Sequence, residues 1–397
     1  MKLIFALLLI IFLAFSGYHL SFRRLRLPLF ARRFYLTGTE FLFLGLLLGP
    51  QFFNLFDTET QMGLAPLADL LLGWIGLLFG FQFEIKKLRR FPAEYLLAAV
   101  MEGLLTLSLV FSATYLTLPL LIDISASMRI VASITLAAAA ACTAQTGLAL
   151  MAGDSIAGSP RILRLLRYIS GIDGLSALLV FGLAFTLCHT GSSDPWPWAL
   201  GKVAAVNLGA SMGLLFLFTL FLALRLQESE LVLVVIGMAL LTSGMASALN
   251  FSPLLANFFV GFWIVNLSRK KERIYHILVT VEKPTYLMLL LFLGVHMRLE
   301  SLWIPVLAAG YCFYRSLGKL LAGFLVTRLT PDFRQYPRFL GFGLLDQGGL
   351  PLAILLDFHR GFPGRLTEVV ITFALLAVIF NDFLSQHFLQ RLLKMDK

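Results

Sequence analysis

Along this chain, apolar stretches of membrane-spanning length alternate with short polar connections, and neither a strand alternation nor a soluble helical stripe dominates. Runs of roughly 17 to 25 apolar residues are long enough to cross a bilayer as helices. Thirteen such segments can be read, approximately 2–20, 36–50, 64–83, 92–115, 128–151, 163–188, 197–224, 230–248, 252–267, 276–296, 302–327, 338–357 and 366–390. Two of them are interrupted. The fifth breaks at Cys142-Thr143-Ala144-Gln145-Thr146, and the twelfth at Asp346-Gln347-Gly348-Gly349 followed by Pro351. Unwound backbone at that depth must be buried in protein or line a cavity, because lipid cannot hydrogen-bond it.

Composition fits this reading: 59% of the 397 residues are hydrophobic and 14% are charged. The net charge of +10 does not indicate nucleic acid, because the basic residues cluster in the connections. With the N-terminus outside, twenty-three lysines and arginines fall on the cytoplasmic side, among them Arg23, Arg24, Arg26, Arg32 and Arg33, whereas only Arg129, Arg298, Arg360 and Arg365 fall outside. That asymmetry predicts an N-out, C-in topology, with the first segment retained as a helix rather than cleaved as a leader. Cys142, Cys188 and Cys312 have no paired or metal-ligand spacing and read as small apolar residues.

A weak internal repeat adds topology. The third segment ends LLFGFQFEIKKL and the tenth LLFLGVHMRLESL, aligning Gly80 with Gly294, Phe83 with Met297 and Leu88 with Leu302. An offset of seven helices is odd, so the copies, about 36–188 and 252–390, run in opposite directions as in inverted-repeat transporters. The same offset pairs the interrupted fifth and twelfth segments. Paired breaks of this kind point to a binding site at mid-membrane.

Ionisable groups inside the segments are costly and mark function by default. Asp173, flanked by Gly171 and Gly174 with no local partner, is the foremost candidate. Glu102, Arg315, Lys319 and Asp346 are the others of interest. Arg315 and Lys319, four apart, share a helix face. Asp346 sits where it would cap the half-helix that follows the break. Glu282 and Lys283 precede Pro284 near a helix end, and His296 reads as an interfacial residue. No segment carries a nucleophile and base at catalytic spacing, so an enzyme is not expected.

Several stretches together resemble the monovalent cation:proton antiporter-2 family, the Kef/NapA type of the sodium/hydrogen exchanger superfamily. They are LGLLLGP at 44–50, LLFGFQFEIKKL, SGIDGLSALL, EKPTYLMLLLFLGVHM, RSLGKLLAGFLVTRL and LLDQGG, in that order over nearly the whole chain. The resemblance implies an all-α integral membrane protein with the NhaA-like inverted-repeat antiporter fold: thirteen helices, the fifth and twelfth crossing as broken helices, and a homodimer whose core domain moves against a dimerisation domain. It implies that Asp173 alternately binds a proton or a cation and that Lys319 competes as its ion-pair partner. Members usually have Asp, Asn or Gln before the sixth-segment aspartate, where this chain has Ile172, and often an acidic residue where it has Leu350. No Kef-type soluble regulatory domain is expected after the thirteenth segment.

The expected function is therefore proton-coupled antiport of Na+ or K+ in a bacterial inner membrane, electroneutral because Ile172 carries no proton. No cofactor is expected. The cation would be held by Asp173 with oxygens near Thr143, since hard cations take oxygen ligands, with Lys319 opposed and Cys142, Gln145, Glu102, Arg315, Asp346 and Gln347 in support. Two alternatives are a sodium-coupled organic-anion transporter of the same architecture and a non-transporting membrane sensor.

Overall fold

The computed structural model describes residues 2–21, 38–144, 160–190, 227–299, 302–329 and 336–395, with isolated positions between 201 and 218 and Phe333. Every regular element among them is helical. The main helices are α1 Lys2–Ser21, α2 Thr39–Leu48, α3 Ala65–Gly80, α4 Ala93–Leu121, α5 Ala126–Ala141, α6 Pro160–Thr190, α7 Glu228–Ala248, α8 Pro253–Leu267, α9 Lys271–Val295, α10 Ile304–Leu329, α11 Gly349–Gly361 and α12 Arg365–Met395. The seventh apolar segment and the Arg23–Arg33 cluster fall outside the described residues or are described only at isolated points. From α7 on, helix numbers therefore run one below segment numbers.

By length and composition, five helices among the described residues can cross a membrane: those within 93–120, 162–188, 228–248, 271–295 and 365–389. Many large apolar side chains point outward, including Phe5, Phe12, Leu120, Leu233 and Phe313. Such a surface suits hydrocarbon and would be a liability in water. The chain is a multi-pass membrane protein.

The chain divides into two compact units. The first comprises residues 1–85, 185–298 and 356–364 and contains α1, α2, α3, α7, α8 and α9. Glycines let its helices approach to backbone contact, the usual packing device where no water drives association. A Cβ on Gly45 would meet the Leu291 carbonyl and one on Gly294 the Leu42 carbonyl, so α2 and α9 lie against each other. Gly80 and Gly261 do the same for α3 and α8, meeting the carbonyls of Phe258 and Leu77. Under the seven-segment offset, α2 maps to α8 and α9 to α3, so the two close pairs exchange.

Polar groups in this unit are tied to structure. Asp57 caps the short helix Thr58–Gly63, and the Thr60 hydroxyl and amide on its Oδ1 hold its pKa at about 2, below the usual 3.8. Arg360 lies 3.1 Å from Asp69 and 3.4 Å from Asp357, and it also donates to Ser247 Oγ and the Phe251 carbonyl. Ser252 caps α8 through the Leu255 amide and donates to Asp357. His296 is buried, its Nδ1 2.7 Å from the Phe292 carbonyl and its ring 3.9 Å from that of His359.

The second unit comprises residues 86–184, 299–355 and 365–397: α4, α5, α6 to Ala184, α10, most of α11, and α12. Both interrupted segments belong to it. α5 ends at Ala141; Cys142 is extended, and Thr143 and Ala144 are irregular. In the twelfth segment a 3-10 turn, Leu340–Leu344, gives way to irregular backbone at 345–348 before α11 begins. The two irregular stretches meet: the Ala144 amide donates to the Asp346 carbonyl at 3.0 Å.

Candidate ion-binding site

The end of α5 at Ala141 exposes the carbonyls of its last turn, which have no intrahelical partners. Side chains from other helices take them up. Gln347 Nε2 donates to Ala139 at 3.1 Å, Arg315 Nε to Ala140 at 3.1 Å and Lys319 Nζ to Ala141 at 2.5 Å. Arg315 also reaches across to the other break, donating to Cys142 at 3.2 Å, Leu345 at 2.7 Å and Leu344 at 3.4 Å. Its guanidinium thus bonds carbonyls at the ends of both interrupted segments. Two cations at a helix C-terminus also match the direction of its dipole.

Asp173 on α6 faces the α5 break. Its Oδ2 accepts from the Thr143 hydroxyl at 2.6 Å and from Lys319 Nζ at 3.0 Å. Lys319 lies 2.9 Å from Thr143 Oγ1, so carboxylate, hydroxyl and ammonium form a closed triangle. Asp173 Oδ1 is buried and has no hydrogen-bond partner among the described residues. A charged oxygen left bare in the membrane interior calls for a proton or a cation.

The second carboxylate comes from α4. Glu102 Oε1 stands 3.1 Å and Oε2 3.3 Å from Lys319 Nζ, and the Thr106 hydroxyl donates to Oε1 at 3.2 Å. Glu102, Asp173, Lys319 and Arg315 are all fully buried. Two close approaches bring the three helices together. A Cβ on Gly103 would lie 2.7 Å from Ser176 Oγ and 3.4 Å from Asp173 Cα, placing α4 on α6; one on Gly318 would lie 3.3 Å from Thr106, placing α10 on α4.

Of the residues singled out from sequence, Asp173, Thr143, Lys319 and Glu102 share one cluster, and Arg315 and Cys142 flank it. Arg315 shares a helix face with Lys319 as the spacing predicts, yet it bonds carbonyls rather than a carboxylate. Cys142 contributes its carbonyl to Arg315 and turns its Sγ to the Ala138 carbonyl at 3.3 Å. Gln347 holds the breaks through Ala139 and accepts from Asn381 at 3.1 Å. Gln145 lies outside the described residues.

The Gln347 amide at the entry to α11 is met by Asp382 of α12 at 3.1 Å, while Asp346 offers its carbonyl to Ala144 and its carboxylate to Ser385 at 3.5 Å. Sequence reading also missed Thr106, Asn381 and Asp382. Asn381-Asp382 interrupts the run ALLAVIF as visibly as Asp173 does its own, so that signal was present.

The family described as "Sodium/hydrogen exchanger, transmembrane" matches residues 4–394. Among solved structures, the sodium proton antiporter MjNhaP1 from Methanocaldococcus jannaschii at pH 8 is 19% identical, with a TM-score of 0.67 over 99% of this chain and 99% of that one. A structure of the same antiporter from an electron-microscopy map is 14% identical, with a TM-score of 0.61 over 90% and 89%. At these identities the likeness is one of fold. A search of curated proteins gave no match. By the match over nearly its whole length, the chain belongs to the transmembrane sodium/hydrogen exchanger family, whose members are cation:proton antiporters and not enzymes.

Proposed function

We propose that this protein exchanges a monovalent cation, Na+ or K+, for a proton at Asp173, one for one and by alternating access. The observation that carries the reading is the divided carboxylate: Oδ2 engaged by Thr143 and Lys319, and Oδ1 buried and bare. A proton on Oδ1, or a cation bound by the carboxylate with the Thr143 oxygens and water, would each remove the uncompensated charge. The two ligands exclude each other, and exchange follows without covalent chemistry.

Further support comes from placement. The cluster lies wholly within the second compact unit, as a site carried by one moving body would. Ile172, buried beside Asp173, supplies no second titrating group at that position. The half-helix N-terminus at Gln347, where an anionic substrate would be received, is met by Asp382, which favours a cation as cargo. The basic-residue asymmetry supports an inner-membrane orientation with the C-terminus inside, and the family resemblance supports a homodimer.

The test is cation-driven proton flux in proteoliposomes, adding Na+, K+, Li+ or Rb+ in turn. Asp173→Asn keeps the volume and removes the exchangeable proton, so flux is expected to vanish while expression and monodispersity persist. Wild-type flux in that variant would remove Asp173 from the mechanism.

A further inference from the structure

We propose that the face of the second unit around Phe91 and Tyr168 is a binding surface for anionic phospholipid headgroups. It is separate from the ion site and stands whether or not Asp173 is the exchanging carboxylate.

Three parts of the chain meet there, all within the second unit. The first, 86–92, leads into α4; the second is the opening of α6; the third is the stretch at Phe333 and Tyr336, ahead of the 3-10 turn Leu340–Leu344. Aromatic side chains bring them together. The Phe91 and Tyr168 rings stand 4.7 Å apart, Tyr95 lies 5.9 Å from Tyr168 and 5.6 Å from Phe333, and the hydroxyls of Tyr95 and Tyr336 are 3.0 Å apart. The stretches within 93–120 and 162–188 can each cross a membrane. Their N-terminal ends are joined by these rings, so both helices enter the bilayer from one face. Tyr95 and Tyr336 stay partly exposed, as tyrosines do at the level of the headgroups.

Each part also brings exposed basic residues: Lys86, Lys87, Arg89 and Arg90 just before Phe91, Arg167 beside Tyr168, and Arg338 two residues after Tyr336. Lys86, Arg89, Arg90, Arg167 and Arg338 have no ion-pair partner among the described residues. Of the flanking acids, Glu84 is taken by Lys271 at 2.5 Å, and Glu94 is half-buried in the first turn of α4. The basic stretch 269–273 of the first unit differs, because Lys271 is spent on Glu84 and Arg273 lies 4.0 Å from Glu228.

The ligand follows from level and charge. A phosphodiester headgroup is held at this depth by the bilayer itself, and guanidinium groups bond its oxygens in pairs. The positive ends of the α4 and α6 dipoles add to the attraction. At an anionic membrane surface each lysine or arginine strengthens attachment about five-fold. The grip falls on the ends of the two helices that carry Glu102 and Asp173, so headgroup charge acts on the unit that holds the ion site.

The experiment uses the full chain in a neutral detergent. Thermal unfolding, and lipid retained in native mass spectra, are followed as phosphatidylglycerol or phosphatidylcholine is added. Wild type is expected to retain phosphatidylglycerol and be stabilised by it, and not by phosphatidylcholine. Arg90→Gln combined with Arg167→Gln flanks the Phe91–Tyr168 contact. That pair is expected to need about ten-fold or more phosphatidylglycerol for the same shift, at about five-fold per residue, while melting as wild type in phosphatidylcholine. Arg269→Gln combined with Arg273→Gln removes the same charge from the first unit and is expected to respond as wild type. A wild-type response in the first pair would overturn the proposal. An equal loss in both pairs would do so too, by reducing the effect to net charge, and so would a wild-type shift with glycerol phosphate alone, which would make the ligand a soluble phosphate. If the first pair does not fold, wild type decides: a preference for phosphatidylglycerol that does not weaken with added salt sinks the idea.

Discussion

Lys319 shows how much one buried group can be asked to do. Its ammonium meets Glu102, Asp173, Thr143 and the Ala141 carbonyl, and it has no contact with solvent. Removing one partner of a buried ion pair costs about 3–5 kcal/mol, because the remaining charge is stranded. Lys319→Met strands two carboxylates side by side, so a fall in melting temperature of several degrees is expected, together with proton flux moved to higher pH, because removing a positive charge makes the protons at the site harder to lose. Combining it with Asp173→Asn should recover part of that stability, since the double variant has one buried charge fewer. Strict additivity of the two losses in thermal melts would count against a direct pair. Thr143 makes a gentler probe. Thr143→Val keeps the shape but removes the hydroxyl on Asp173 Oδ2, worth about 1.5–3 kcal/mol for a bond to a charged group. The apparent KM for the cation should rise about ten-fold or more, and Thr143→Ser should restore it. An unchanged KM in Thr143→Val would take Thr143 out of the site.

The elements that build the site were legible to different degrees. Asp173 and Lys319 stood out because a charge in an apolar run announces its own cost. Both breaks were visible in Thr143-Ala144 and in Asp346 to Pro351, where polar and helix-breaking residues interrupt membrane-length runs. Partners were less visible, because pairing depends on which helices adjoin. Glu102 could be marked as an expensive charge, but its bond to Lys319 requires α4 to lie against α10 at Gly318, and no local pattern gives that contact. The same limit applied to Arg315. Its spacing from Lys319 gave the correct face, yet the longer, planar guanidinium reaches past the carboxylates to the carbonyls of two broken segments. Removing it should act on the elements and not on the ion. Arg315→Leu leaves up to five carbonyls, those of Ala140, Cys142, Leu344, Leu345 and Asp346, without this donor. At about 1–3 kcal/mol for each buried group left unsatisfied, loss of the folded protein is expected. Arg315→Lys should retain part of the network and fold with a lower melting temperature. A Leu variant as stable as wild type by size exclusion and thermal melting would show that the breaks hold themselves.

For the molecule as a whole, the exchange cycle has a direction only once its orientation is fixed. Orientation rests on a property that no single helix carries. Basic residues divide twenty-three to four between alternate connections when thirteen segments are threaded from an external N-terminus, and one segment more or fewer would scramble the split. The seventh segment, 197–224, carries much of that weight, because dropping it would invert every connection that follows. Arg269 to Arg273 and Arg328 to Arg338 would then lie outside while Arg360 and Arg365 lay inside, the reverse of the usual retention of lysine and arginine in the cytoplasm. The expected outcome is a cytoplasmic C-terminus: green fluorescent protein fused after Lys397 should fluoresce in a bacterial host, and alkaline phosphatase fused there should be inactive. Fused at Gly364, between Arg360 and Arg365, phosphatase should instead be active. Activity at Lys397 with silence at Gly364 would reverse the orientation, and with it the side of the membrane from which the cation reaches Asp173.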